Sequence, residues 1–161
     1  MNVTNAIEEI EASLYGRKIT TTDAQTLIDN LPSEMRLEGL LLLLQNFLLS
    51  EVSFSLSEED DESGLGAELK WLNPDQILDE ALLAYPGKAV LKLGYLPIGS
   101  CLLGSGDPYF LFLRDADPED PALVRVPHDF ARENENYPED KIETVSSSLS
   151  RFFRLAAIDK P

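Results

Sequence analysis

The chain has little of several things, and each shortage removes a class of explanation. A single cysteine, Cys101, rules out an intrachain disulfide and points to a reducing compartment, the cytoplasm, as the natural setting. A single histidine, His128, means that any Ser/His/Asp or Cys/His site must be built around it. Basic residues number only 13 against 29 acidic ones, a net charge of −16 that repels phosphate backbones and anionic lipid headgroups. Direct nucleic-acid binding is therefore not expected. Long apolar runs are missing too. The richest stretch, 37–49, contains Glu38, Gln45 and Asn46 and falls short of the roughly 20 residues a membrane span needs. Residues 1–14 carry Glu8, Glu9 and Glu11 where an export signal would place basic and then apolar residues, so no such signal is expected.

What is present is a foldable chain. At 161 residues with 43% hydrophobic content, it can bury a core without a metal or cross-links, and residues 1–161 are read as one domain. Ile7, Ile10 and Leu14 predict a first helix ending near Gly16. Thr22 and Asp23 open a second that Pro32 interrupts, and a third is expected over 33–50. Its leucine run, 40–44, covers most of a helix circumference, as a central core helix would, or one with a flank left for a partner.

Val52, Phe54 and Leu56 alternate with polar residues, the period of a half-buried strand. Residues 57–64, SEEDDESG, hold five consecutive acids and no apolar anchor, so a mobile acidic hairpin loop is expected. A strand over 67–72 follows, then a helix capped by Asn73 with Pro74 at its first position, ended by Pro86 and Gly87. Further strands are expected over 89–93, 96–102, 109–113 and 123–126. YFLFL at 109–113 is apolar on both faces and belongs near the middle of the sheet. Pro138, Ile142, Val145, Leu149, Phe152, Phe153 and Ala156 predict one long closing helix. The fold class is α+β, a mixed, mostly antiparallel sheet flanked by helices.

No constellation points firmly to chemistry. Gly99 and Gly104 have the spacing of a phosphate loop, but Ser105 stands where lysine is required. Gly104, Gly106 and Asp107 read instead as a turn between strands. Asp115, Asp117 and Glu119 alternate like the start of a calcium loop, yet Asp120 occupies the glycine position and Pro118 and Pro121 stiffen the segment. On an extended segment Asp129 would point away from His128, so a surface or structural hydrogen-bonding role is expected for the histidine. Cys101, in an apolar segment, is expected to be a small core residue. No catalytic residue, metal or cofactor is expected.

The stretch 93–130, LGYLPIGSCLLGSGDPYFLFL followed by VRVPHDF, resembles the SUKH superfamily, which includes bacterial toxin-immunity proteins and fungal cell-wall assembly regulators. The match lies in the order of features: Leu96 to Gly99, then Gly106 and Asp107, then 109–113, then 124–129. WLNPDQILDE at 71–80 resembles the family's preceding strand and helix, and VSSSLSRFFRL at 145–155 its closing helix. Together they cover half to two-thirds of the chain. The family's Asn-Gly turn is absent, replaced by the leucine-rich segment and the acidic loop.

The resemblance implies a non-catalytic protein-binding module, typically an immunity protein that neutralises a basic toxin domain such as a nuclease or deaminase. A small acidic chaperone for a secreted effector is the alternative. An acidic inhibitor would use its charge to occupy a basic cleft. The residues expected to meet such a partner are Glu58, Glu59, Asp60, Asp61, Glu62, Asp107, Asp115, Asp117, Glu119 and Asp120.

Overall fold

The computed structural model describes residues 2–35, 37–114, 117, 119–133 and 135–160. Seven strands among them form one antiparallel sheet: β1 (Ser53–Leu56), β2 (Ala67–Trp71), β3 (Tyr95–Cys101), β4 (Tyr109–Phe112), β5 (Ala122–Arg125), β6 (Glu143–Ser146) and β7 (Ala157–Asp159), in the order β6-β5-β4-β3-β2-β1-β7. The first six strands thus run as a meander. The chain then returns across the sheet through a helix, so that β7 lies beside β1.

Six helices accompany the sheet among the described residues: α1 (Val3–Ile10), α2 (Thr21–Asn30), α3 (Glu38–Leu44), α4 (Pro74–Leu82), α5 (Gly87–Val90) and α6 (Leu149–Leu155). The α+β class read from the sequence holds, with every strand pairing antiparallel.

The YFLFL segment divides the interior in two. Tyr109, Leu111 and Leu113 face the larger core, beneath α1, α4 and α6, while Phe110 and Phe112 join Val90, Tyr95, Val124 and Tyr137 on the opposite face. Successive side chains of a strand point to opposite faces, so two apolar sets in one strand demand cover on both sides. The larger core centres on Phe54, Trp71, Phe152 and Phe153, with ring centroids 5.6–6.4 Å apart in tilted or edge-to-face contacts. Burying each of these rings contributes about 1.5–3 kcal/mol.

Local signals explain the element ends. Asn73 and Gln76 form a reciprocal capping box at α4, with Pro74 in the first turn. α2 begins one step earlier than Thr22 predicts, because Thr20 and Asp23 form the same kind of box.

Three expectations fail. The predicted helix over 33–50 shrinks to α3, whose N-cap Leu37 offers no side-chain hydrogen bond. The chain must also turn beyond Phe47 to form the Arg17–Ser50 bridge that feeds β1. Leu42 is left 45% exposed, so the leucine run is not enclosed all round.

The strand expected over 89–93 is instead α5 followed by a 3-10 turn, Leu91–Leu93. Period alone does not separate a short apolar strand from a helical turn. The long helix expected from Pro138 is a 3-10 turn, β6, α6 and β7 in succession. Two serines break it: Ser146 ends β6, and the Ser148 hydroxyl accepts from the Arg151 amide to start α6 afresh. Among the described residues, no helix is long and apolar enough to cross a membrane.

Candidate protein-interaction surface

The acidic loop expected to be mobile is anchored, and its anchor is polar. Residues 57–66, between β1 and β2, reach across the end of the sheet to β5 and β6. The Asp61 side chain is fully buried and pairs with Arg125 of β5 at 3.0 Å, itself only 3% exposed. The guanidinium spends its donors on the same loop: Nη2 also donates to the Gly66 carbonyl at 2.7 Å, and Nη1 to the Ser63 hydroxyl at 3.1 Å. Glu143 of β6, at 3.3 Å, and the Tyr109 hydroxyl, at 3.4 Å, complete its shell, and the Tyr109 ring lies under the cation.

The other Asp61 oxygen accepts from the Ser63 amide and hydroxyl, each at 2.7 Å. Burial alone would lower the Arg125 pKa, but the bonds to Tyr109 and Asp61 outweigh it and leave it raised. Burial pushes the Tyr109 phenol up, partly offset by Arg125.

A second clasp lies beside the first. Arg151 of α6 donates to the Asp60 carbonyl at 2.7 Å and lies 3.5 Å from Glu62, whose carboxylate also accepts from the Ser147 amide. The Glu62 amide donates to the Val145 carbonyl at 2.9 Å.

The ten acids singled out by sequence therefore divide. Asp61 is removed from the surface altogether, which corrects its assignment as a contact residue: a carboxylate buried against a guanidinium is not available to a partner. Glu62 is exposed but held by Arg151 and Ser147. Asp120 is half-buried and accepts from the Ser150 amide at 2.8 Å and hydroxyl at 2.6 Å, fastening the first turn of α6. Asp107 is half-buried and bonded to His128. Asp117 and Glu119 are exposed, with Asp117 closing a local turn onto the Glu119 amide. Asp115 lies outside the described residues. Glu58 and Glu59 are exposed and Asp60 half-exposed.

Glu58 and Asp60 face a groove of about 500 Å³ that the sequence reading did not foresee. Its walls come from both arms of the β1–β2 hairpin, the β3–β4 loop and the α6–β7 junction. Three exposed leucines, Leu65 (59%), Leu155 (44%) and Leu103 (37%), line it. Its charged lining residues are Glu58, Asp60 and Glu68, and among the described residues no basic side chain lines it. Glu119, by contrast, borders a separate cavity between the start of α1 and α3, so the two acidic runs do not build one site.

The groove leaves only a faint trace in the sequence: Leu65 follows directly on the acidic run, and Leu103 precedes a Gly-Ser-Gly turn. Each alone is an ordinary exposed apolar residue; it is their convergence into one patch, which the sequence does not show, that marks a contact.

The turn at Gly106 has φ +70°, the left-handed conformation glycine tolerates. It aims Asp107 at His128, whose backbone N–H donates to Asp107 Oδ1 at 3.0 Å and whose Nδ1 meets the same oxygen. His128 begins a 3-10 turn, not an extended segment, so Asp129 does reach it: Oδ1 lies 3.1 Å from Nε2. Both ring nitrogens are thus occupied by carboxylates. Cys101 is half-buried at the end of β3, packed against the margin of the larger core, with Sγ 3.6 Å from the Leu103 carbonyl and the Ser105 hydroxyl. No protein-family model, curated protein or solved structure matches the chain.

Proposed function

We propose that this chain is a SUKH-like, non-catalytic protein-binding module, an immunity protein that neutralises a basic toxin domain, a nuclease or deaminase, by covering it with the acidic face around the β1–β2 loop. The observation that carries this reading is the groove itself. Three exposed leucines converge from three separate chain segments, and the charged residues lining the groove with them are, among the described residues, all carboxylates. Apolar anchors with charge of one sign at their rim supply the contact energy and the orientation a protein interface needs.

The net charge of −16 raises the encounter rate with a cationic partner and disfavours anionic ones. It also opposes nucleic acid directly, so inhibition of a nuclease would come from occupying the cleft. The pairing of both His128 nitrogens with carboxylates is consistent with a surface hydrogen-bonding role for that side chain.

The test is co-expression with the products of neighbouring genes, followed by affinity capture at two salt concentrations. A folded basic domain retained in a one-to-one complex, more weakly at high salt, is the expected result. A captured segment that is extended and unfolded would favour the effector-chaperone role, and no retained partner would remove the main support for both.

A further inference from the structure

The walls of the groove specify what should enter it. We infer that it seats a short amphipathic cationic segment of a protein partner, with apolar side chains on Leu65, Leu103 and Leu155 and flanking Lys or Arg on Glu58, Asp60 and Glu68. This rests on reading the chain as a protein-binding module, and it adds the chemistry of the recognised segment.

Charge complementarity selects the sign. Among the described residues the groove holds three carboxylates, all on the β1–β2 hairpin, and no basic residue, so an anionic segment would meet repulsion and unpaired charge along that wall. The leucines select the rest. A purely cationic chain would leave three large apolar side chains in water, whereas a segment with two or three apolar residues on one face covers them, at about 25 cal/mol per Å² buried.

The groove is also held in shape before anything binds. Two of its lining residues, Asp60 and Gly66, have their carbonyl oxygens fixed at 2.7 Å by the guanidinium groups of Arg151 and Arg125, which approach from behind the loop. The cations that would compete for a partner's place are thereby turned inward, and the carboxylates of Glu58 and Glu68 are left facing out. A pre-formed site loses less conformational freedom on binding than one that must be ordered.

The experiment uses the whole chain labelled with ¹⁵N and three synthetic peptides: one with Leu on one helical face and Lys on the other, one with every Lys replaced by Glu, and an oligolysine of equal charge. The Leu/Lys peptide is expected to shift the amides of 55–60, 65–68, 103 and 155–157. Its binding should be about tenfold or more tighter than that of oligolysine, a difference of about 1.4 kcal/mol. The Leu/Glu peptide should not bind.

The double variant Leu65→Ser, Leu155→Ser should lose about tenfold for the Leu/Lys peptide and little for oligolysine. Because both side chains are exposed, the variant should keep its dispersed spectrum, and Leu103→Ser in a different loop provides an independent check. Equal binding of oligolysine, shifts that map to another face, no shifts at millimolar peptide, or an unchanged affinity in the leucine variants would overturn the inference. If the peptide fails but a folded toxin domain is still held one-to-one, the groove assignment falls and the immunity reading stands. Peptide bound in the groove with no folded partner found gives the reverse.

Discussion

In the β1–β2 loop a carboxylate, Asp61, is buried against a guanidinium; in the β4–β5 loop another, Asp120, accepts from the amide and hydroxyl of Ser150 in the first turn of α6. The two loops carry comparable runs of acids, and each turns one of them inward to tie itself to the C-terminal part of the fold. The strength of the ties differs. Asp61 and Arg125 are both desolvated and bond to each other and to the Ser63 hydroxyl, so loss of one partner strands a buried charge. Asp120 remains half in water and acts as a helix-end acceptor, a smaller and more replaceable contribution. A net charge of −16 is therefore not spread evenly as a solvating coat: some of it is structural cement, and the acids left over in the first loop border apolar surface.

The largest effect should come from breaking the buried pair. Arg125→Met leaves Asp61 without its cation and is expected to destabilise the fold by about 3–5 kcal/mol in urea unfolding. Asp61→Leu added to that variant should recover a substantial part, since replacing both charges removes the stranded one. A loss under about 1 kcal/mol for Arg125→Met would mean the loop is not clasped.

Asp120→Ala should cost about 1–2 kcal/mol, the range for losing a helix-end acceptor, measured in the same assay. An equal loss at both sites would erase the distinction between the loops.

Hydrogen exchange sharpens the comparison without mutation. The Glu62 and Gly64 amides, bonded to the Val145 and Asp61 carbonyls, should exchange more slowly than the exposed Glu119 amide, which donates to the Asp117 side chain two residues away.

Glu80 supplies the smallest and opposite effect. Burial raises its pKa, with partial relief from the Gly87 amide that it accepts at 3.1 Å. A carboxyl whose folded pKa lies above its unfolded value favours folding most at low pH and loses that contribution as pH rises through the folded pKa. Glu80→Gln keeps an acceptor for Gly87 and removes the charge. Its urea midpoint should exceed that of the parent at pH 7 and match it at low pH; a midpoint lower at pH 7 would contradict this sign.

Much of the fold was legible because its signals are local. The alternation of Val52, Phe54 and Leu56, the two-faced YFLFL strand and the Asn73–Pro74 start of α4 all depend on residues within one element. What failed depended on distant ones. The 33–50 helix is cut short by the chain's need to reach Ser50 beside Arg17, and the helical spacing from Ile142 to Phe153 conceals a strand because Val145 and Leu149 satisfy either period until Ser148 restarts the helix.

The site divided in the same way. Exposure of Glu58 and Glu59 follows from their being charged residues in a loop, whereas burial of Asp61, two positions on, is decided by Arg125, 64 residues away. Leu65, Leu103 and Leu155 are unremarkable in isolation and become a groove only when the sheet brings three loops together.

The most direct test of the central claim is a calorimetric titration of the partner recovered by affinity capture into the parent chain and into Leu65→Ser, Leu155→Ser. One-to-one binding that weakens with salt, and falls by about tenfold or more in the variant, is the predicted result; binding of equal strength to both proteins, or none to either, would contradict a partner held at this groove.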